Sequence, residues 1–127
     1  MTDVTTLSAG IKNTCFVKAA QLYCAGANAS GQIGKGVVEA STNYLYPLLN
    51  SILGTGVQQV VANAEELICA IKSAQAYCWG SYTYTNQGFS SAGNVATPTL
   101  LVTPANVVTL SLGKLNGCLV ASSDLYC

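Results

Sequence analysis

Six cysteines carry most of the chemistry this sequence could do, and they fall in three pairs with eight residues between partners: Cys15 and Cys24, Cys69 and Cys78, Cys118 and Cys127. Thiols so placed can form disulfides, bind a metal, or stay reduced and buried. If two residues turn the chain midway, at Ala19-Ala20, Ser73-Ala74 and Ser122-Ser123, each pair faces across an antiparallel hairpin at disulfide-compatible distance. Six cysteines allow fifteen connectivities, and the recurrence selects this one. Closing each ten-residue loop contributes about 2.7 kcal/mol by the chain-entropy argument. Buried reduced thiols in a cytosolic protein remain the alternative. Zinc fits worse, because eight-residue spacing is not the usual two to four and no histidine is present to complete a mixed site. Disulfides imply an oxidising compartment, so the expected location is extracellular or at a cell surface.

Other reactive constellations fail on residue type. Without histidine, hydrolase arrangements that use an imidazole base cannot be built. The acids are Asp3, Glu39, Glu65, Glu66 and Asp124; only Glu65 and Glu66 adjoin, and neighbours on a strand point to opposite faces. Gly31-Gln32-Ile33-Gly34-Lys35-Gly36 lacks the spacing of a phosphate-binding loop and reads as a turn. No catalytic residue, metal or cofactor is expected. Asn28-Ala29-Ser30 is an acceptor sequence for an N-linked glycan in a source that glycosylates, which makes Asn28 a candidate carrier; an ordinary turn asparagine is the alternative.

Charge narrows the partners. Only 8% of the 127 residues are charged, with five lysines against five acids and no arginine. Scattered lysines cannot form the basic stripe that nucleic acid requires, and no apolar run approaches the roughly 20 residues of a membrane span. A surface so poor in charge is suited to touching protein. After Met1 the residues Thr2-Asp3-Val4 open neither a charged nor an apolar leader region, so the sequence reads as one whose leader was removed or as an excised piece.

The cysteine pairs sit in a repeat. Cys15 to Cys24 and Cys69 to Cys78 are identical at six of ten positions, and Cys118 to Cys127 keeps both cysteines and the preceding tyrosine. The first cysteines stand 54 and 49 residues apart. Eight positions ahead of each lies an apolar residue, Leu7, Val61 and Leu110, inside β-branched runs that read as strands. Gly10 and Gly113 follow at a turn, with Ala64 in the second copy. Glycine- and asparagine-rich loops come after the first two hairpins, and further strands are expected near Tyr46-Pro47-Leu48-Leu49 and Thr99-Leu100-Leu101-Val102. The stretch from Ala62 to Ala70 is the best helical window, but its place in the repeat makes it loop and strand. Tyr23, Tyr77, Tyr126 and Trp79 recur with the cysteines and are expected to pack. Tyr44, Tyr46, Tyr82 and Tyr84 lie in non-repeating stretches and are candidates for an interface.

The segments Leu7-Ser8-Ala9-Gly10, Thr14-Cys15, Tyr23-Cys24-Ala25-Gly26-Ala27-Asn28 and Gly31-Gln32-Ile33-Gly34, with Tyr77-Cys78-Trp79-Gly80 in the second copy, resemble the regulator-of-chromosome-condensation repeat. That repeat is the blade unit of a seven-bladed β-propeller, also seen in alpha-tubulin-suppressor-like proteins. Asn13, Leu67 and Asn116 stand where that family often has histidine. The resemblance implies an all-β fold: a partial β-propeller or propeller-like stack of four-stranded antiparallel blades, about 2.5 repeat units. The units run about 1–54, about 55–104 and, in part, about 105–127. Too few blades are present to close a ring, so the expected function is that of a non-catalytic structural or interaction module. Its open margins would meet further copies of the chain or the rest of a larger propeller. The resemblance also implies two other roles, a secreted module that binds or inhibits a foreign protein and a fragment akin to a GTPase exchange factor.

Overall fold

A computed structural model of the chain describes residues 2–82, 93–101 and 104–127. Strands alternate with turns throughout, and no helix occurs among the described residues. The first sheet takes β1 (Val4–Ala9), β2 (Asn13–Lys18), β3 (Gln21–Asn28) and β4 (Glu39–Leu49) in that order. The second repeats it with β5 (Val57–Ala62), β6 (Leu67–Lys72), β7 (Gln75–Tyr82) and β8 (Gly93–Leu100). The third contains β9 (Val107–Leu112), β10 (Gly117–Ala121) and β11 (Asp124–Tyr126). All pairings are antiparallel between sequence neighbours. Pro47 and Pro98 fall on the fourth strands, β4 and β8, where an edge tolerates a missing N–H donor.

Two-residue turns set the hairpins. Both central residues have positive φ in every copy: Ala19 48° and Ala20 58°, Ser73 51° and Ala74 58°, Ser122 50° and Ser123 73°. These are mirror-image turns whose twist suits a β-hairpin, made here without the usual asparagine or glycine. They fix a register in which Cys15 opposes Cys24 and Cys69 opposes Cys78.

The sheets stack as blades. Strand β5 packs on β1 and β2, and β9 packs on β5 and β6. Alternation along each strand then divides side chains between two faces. The front face of blade 1, with Cys15, Val17, Leu22 and Cys24, shares one buried cluster with Val57, Val60, Ile68 and Trp79 from the rear of blade 2. The front face of blade 2, with Cys69, Ile71, Ala76 and Cys78, shares a second cluster with Val107, Leu110, Leu119 and Ala121 from the rear of blade 3. The core therefore lies between blades, where apolar area leaves water only because a neighbour covers it.

One alignment read from the sequence is corrected. Val61 stands opposite Cys69, as Ser8 does opposite Cys15 and Ser111 opposite Cys118. The true counterpart of Leu7 and Leu110 is Val60, opposite Ala70. The cause is a longer turn in the second blade: Asn63 N donates to Leu67 O, whereas Gly10 N donates to Asn13 O and Gly113 N to Asn116 O. The added residue slides the sequence count by one without moving the strand.

Candidate functional site

Among the described residues, the uncommon feature is how blades hold one another and what is left uncovered. Trp79 shows the first. Its indole, wholly buried between blades 1 and 2, donates from Nε1 to Gln32 O at 2.8 Å. The Gly31 to Gly34 loop of blade 1 thus lies over blade 2. A Cβ on Gly34 would stand 2.7 Å from Trp79 Nε1, at a φ of +73°, and one on Gly31 would stand 2.6 Å from Ala96 Cα. Only glycine admits both approaches. Asn50, buried beneath, donates to Ile33 O and Gly34 O and accepts from Leu53 N.

The adjacent acids, which share no site, work in opposite directions. Glu66 reaches back to blade 1, where Lys12 Nζ lies at 2.8 Å and Ser30 Oγ donates at 2.7 Å. Glu65 reaches forward to Lys114 of blade 3 at 3.3 Å. Partial burial pushes the Glu66 carboxyl up, but the Lys12 and Ser30 hydrogen bonds outweigh it and leave the group below its ordinary value; Lys12 is raised in return.

The candidate interface tyrosines separate. Tyr46 is 81% exposed on β4. Tyr44 is half-buried and engaged: its hydroxyl donates to Glu39 at 2.7 Å, Lys35 Nζ donates to that hydroxyl, and the Lys35 ammonium sits 4.7 Å from the ring centroid. The hydrogen bond from Tyr44, with one from Asn28, holds the Glu39 carboxyl below its ordinary range, while Tyr44 and Glu39 raise Lys35. Tyr82 is a correction, since it is buried in the cluster between blades 2 and 3, and that burial pushes its hydroxyl well up. It is core, and the signal was present: Ala76, Cys78 and Tyr82 stand at even spacing on β7, hence on one face. Tyr84 lies outside the described residues.

Asn28 is the second correction. Its side chain is wholly buried, with Nδ2 donating to Val37 O at 3.0 Å and Glu39 Oε2 at 2.8 Å and Oδ1 accepting from Ile33 N at 3.1 Å. A glycan would need that same nitrogen, carried at the surface. The amide instead closes the loop.

The cysteines are joined as three disulfides, Cys15 to Cys24, Cys69 to Cys78 and Cys118 to Cys127, with Cα separations of 4.1, 4.1 and 4.2 Å. They differ in surroundings. The first two are buried under the next blade, whereas Cys118 is half-buried and Cys127 exposed on the front of blade 3. Around Cys118 lies a shallow apolar hollow lined by Thr109, Ser111, Val120 and Leu125. At the opposite end, Val4 and Leu7 on the rear of blade 1 are also exposed. These two end faces carry the named candidates that sequence inspection passed over; comparing repeat positions with the covered copies would have found them.

The stacking of four-stranded blades decides the comparison with solved structures. Human WBSCR16 superposes with a TM-score of 0.80 at 19% identity, over 94% of this chain and 31% of that one. Yeast RCC1 (Prp20), in its crystal structure with Kap60 bound, superposes with a TM-score of 0.75 at 20% identity, over 97% of this chain and 29% of that one. The blades have the RCC1-repeat fold. By sequence, no family model and no curated protein matches the chain. The chain spans about a third of the length of the RCC1-like chains it matches. Identity at this level speaks to fold alone. No helix among the described residues is long and apolar enough to cross a membrane.

Proposed function

We propose that this chain is a non-catalytic interaction module of RCC1-type blades, working outside the cell, whose end faces are covered by further blades or further copies. Its units are 1–54, 55–104 and a partial 105–127. One observation carries the reading: each covered front face is sealed by the same pair of positions on the next blade, Val57 and Val60 or Val107 and Leu110, while the same positions on blade 1, Val4 and Leu7, are exposed. Apolar surface that is buried at each repeat and bare at both ends is the signature of a stack in need of neighbours. The three disulfides support an oxidising location, and the lack of histidine supports a non-enzymatic role.

Light scattering on the oxidised chain, from micromolar to near-millimolar concentration, tests the reading. The expected result is a mass above 13.1 kDa that grows with concentration. A 13.1 kDa species throughout, with β1 amides as protected from hydrogen exchange as those of β6, would show that the ends need no cover. Intact mass after alkylation without reduction tests the location: no label is expected, and six labelled thiols would remove its basis. A protein partner of different sequence is the second reading, favoured by the likeness to an RCC1 solved with Kap60 bound.

A further inference from the structure

We infer that the partner of the end faces is a second copy of this chain, seated head-to-tail with the rear of its blade 1 on the front of the first copy's blade 3. The inference rests on the interaction-module reading above and adds occupant and polarity.

The internal seams define what such a seat requires. In each, a valine and a second aliphatic residue three positions on, separated by a one-residue bulge, enter the front face of the preceding blade: Val57 and Val60, then Val107 and Leu110. Val4 and Leu7 occupy these positions on β1 with the bulge at the same place, and they are 41% and 65% exposed. The approach is repeated too. The residue before each valine is left-handed, with φ of 65° at Asp3, 88° at Gly56 and 63° at Asn106. The rear strand of blade 1 is therefore presented as the two seated strands are.

Blade 3 offers the matching half. Its front face carries the Cys118–Cys127 disulfide, Val120 and Leu125 where blade 1 buries Cys15–Cys24, Val17 and Leu22; Leu125 is 70% exposed. Two hydrogen bonds of the internal seams also have their acceptors ready. Val57 N donates to Ala20 O at 3.0 Å, and Val107 N to Ala74 O at 2.9 Å, each joining a strand entry to the preceding hairpin turn. The next pair in this series is Val4 N and Ser123 O. Between blades 1 and 2, Ala62 N donates to Ser8 Oγ at 2.9 Å. Ser8 is matched by Ser111 on blade 3, and Ala62 by Ala9 on blade 1. Backbone groups of one blade are thus spaced to meet the same acceptors on another copy. A net charge of zero leaves no overall repulsion between copies. Such a contact is heterologous, so it closes as a ring or continues as a filament.

Two surface variants test polarity. Leu7→Lys spoils the rear face and leaves the front intact; Leu125→Lys does the reverse. Both positions are exposed in the single chain, so each variant should melt with the wild type in dilute solution. Light scattering should show each variant alone at 13.1 kDa and their equimolar mixture at twice that mass and no further. Ser111→Ala should weaken wild-type association about fivefold, as expected for one hydrogen bond. If the wild type assembles while the mixture stays monomeric, or either variant alone still polymerises, head-to-tail seating is wrong and the module reading survives. If the wild type itself never exceeds one chain's mass, a second copy is not the occupant.

Discussion

The front of blade 1 and the front of blade 3 have the same disulfide, the same hairpin and aliphatic residues at the same positions, yet the first is among the driest surfaces of the molecule and the second is open. Part of the difference lies within the blades, since Cys24 has Leu48 of β4 beside it while the third sheet ends at β11 among the described residues. The rest comes from β5, which delivers Val57 and Val60 to the one and has no counterpart over the other among the described residues. Stability in this chain is thus a property of seams, as expected of a stack in which each unit touches only its neighbours. The sharpest way to break the contrast is at Trp79. Trp79→Ala empties the seam between blades 1 and 2 and strands Gln32 O, and should cost about 3–5 kcal/mol in urea unfolding. Leu125→Ala in dilute solution should stay within about 0.5 kcal/mol. Equal losses would mean that blade 3's front face is covered after all.

The disulfides report the same contrast chemically. Graded reduction followed by alkylation and peptide mass mapping should label Cys118 and Cys127 first, because reductant must reach the sulfur and only this bond lies in the open. Cys15 and Cys24 should take label only when the seam opens, as part of global unfolding. Simultaneous labelling of all pairs would make the blades one cooperative unit and erase the difference.

The sequence carried the hairpins and hid the seams, for a physical reason. Cysteine spacing and a two-residue turn are local, so strand register could be read from Cys15 and Cys24 alone. The count from Leu7 to Val61 went astray because one added residue in the turn after Asn63 leaves no compositional mark. Asn28 illustrates the limit of a three-residue motif, which encodes an acceptor but not whether the nitrogen faces water. Glu65 and Glu66 look like a carboxylate pair in sequence; the blades on either side draw them apart, through Lys12 and Lys114, which stand 54 residues before Glu66 and 49 after Glu65. Tyr82 was legible by its even spacing from Cys78, had the strand been extended past Gly80.

Acid sharpens the role of the clasp between blades 1 and 2. A carboxyl held below its ordinary value in the folded chain, as Glu66 is, adds stability at neutral pH that is lost as pH falls through the lowered folded value. The urea midpoint should therefore decline below about pH 5. Glu66→Gln should flatten part of that decline, with the remainder retained by Glu39, which is held low as well. A variant whose acid profile overlays the wild type would show that the Lys12 contact is decorative.

The smallest expected effect separates the blades most finely. Replacing Ser73-Ala74 or Ser122-Ser123 by Asn-Gly relieves two left-handed positions that favour those residues, a gain of about 0.5 kcal/mol at either turn. In blade 2 the turn belongs to a unit sealed on both faces, so the gain should appear in the global unfolding midpoint. In blade 3 the hairpin has no neighbour over its front and should open on its own before the rest unfolds. There the same change should leave the midpoint nearly still and slow hydrogen exchange at Leu119 and Val120 instead. A midpoint that rises equally for both turns would mean that blade 3 unfolds only with the whole, and that its open face costs the fold nothing.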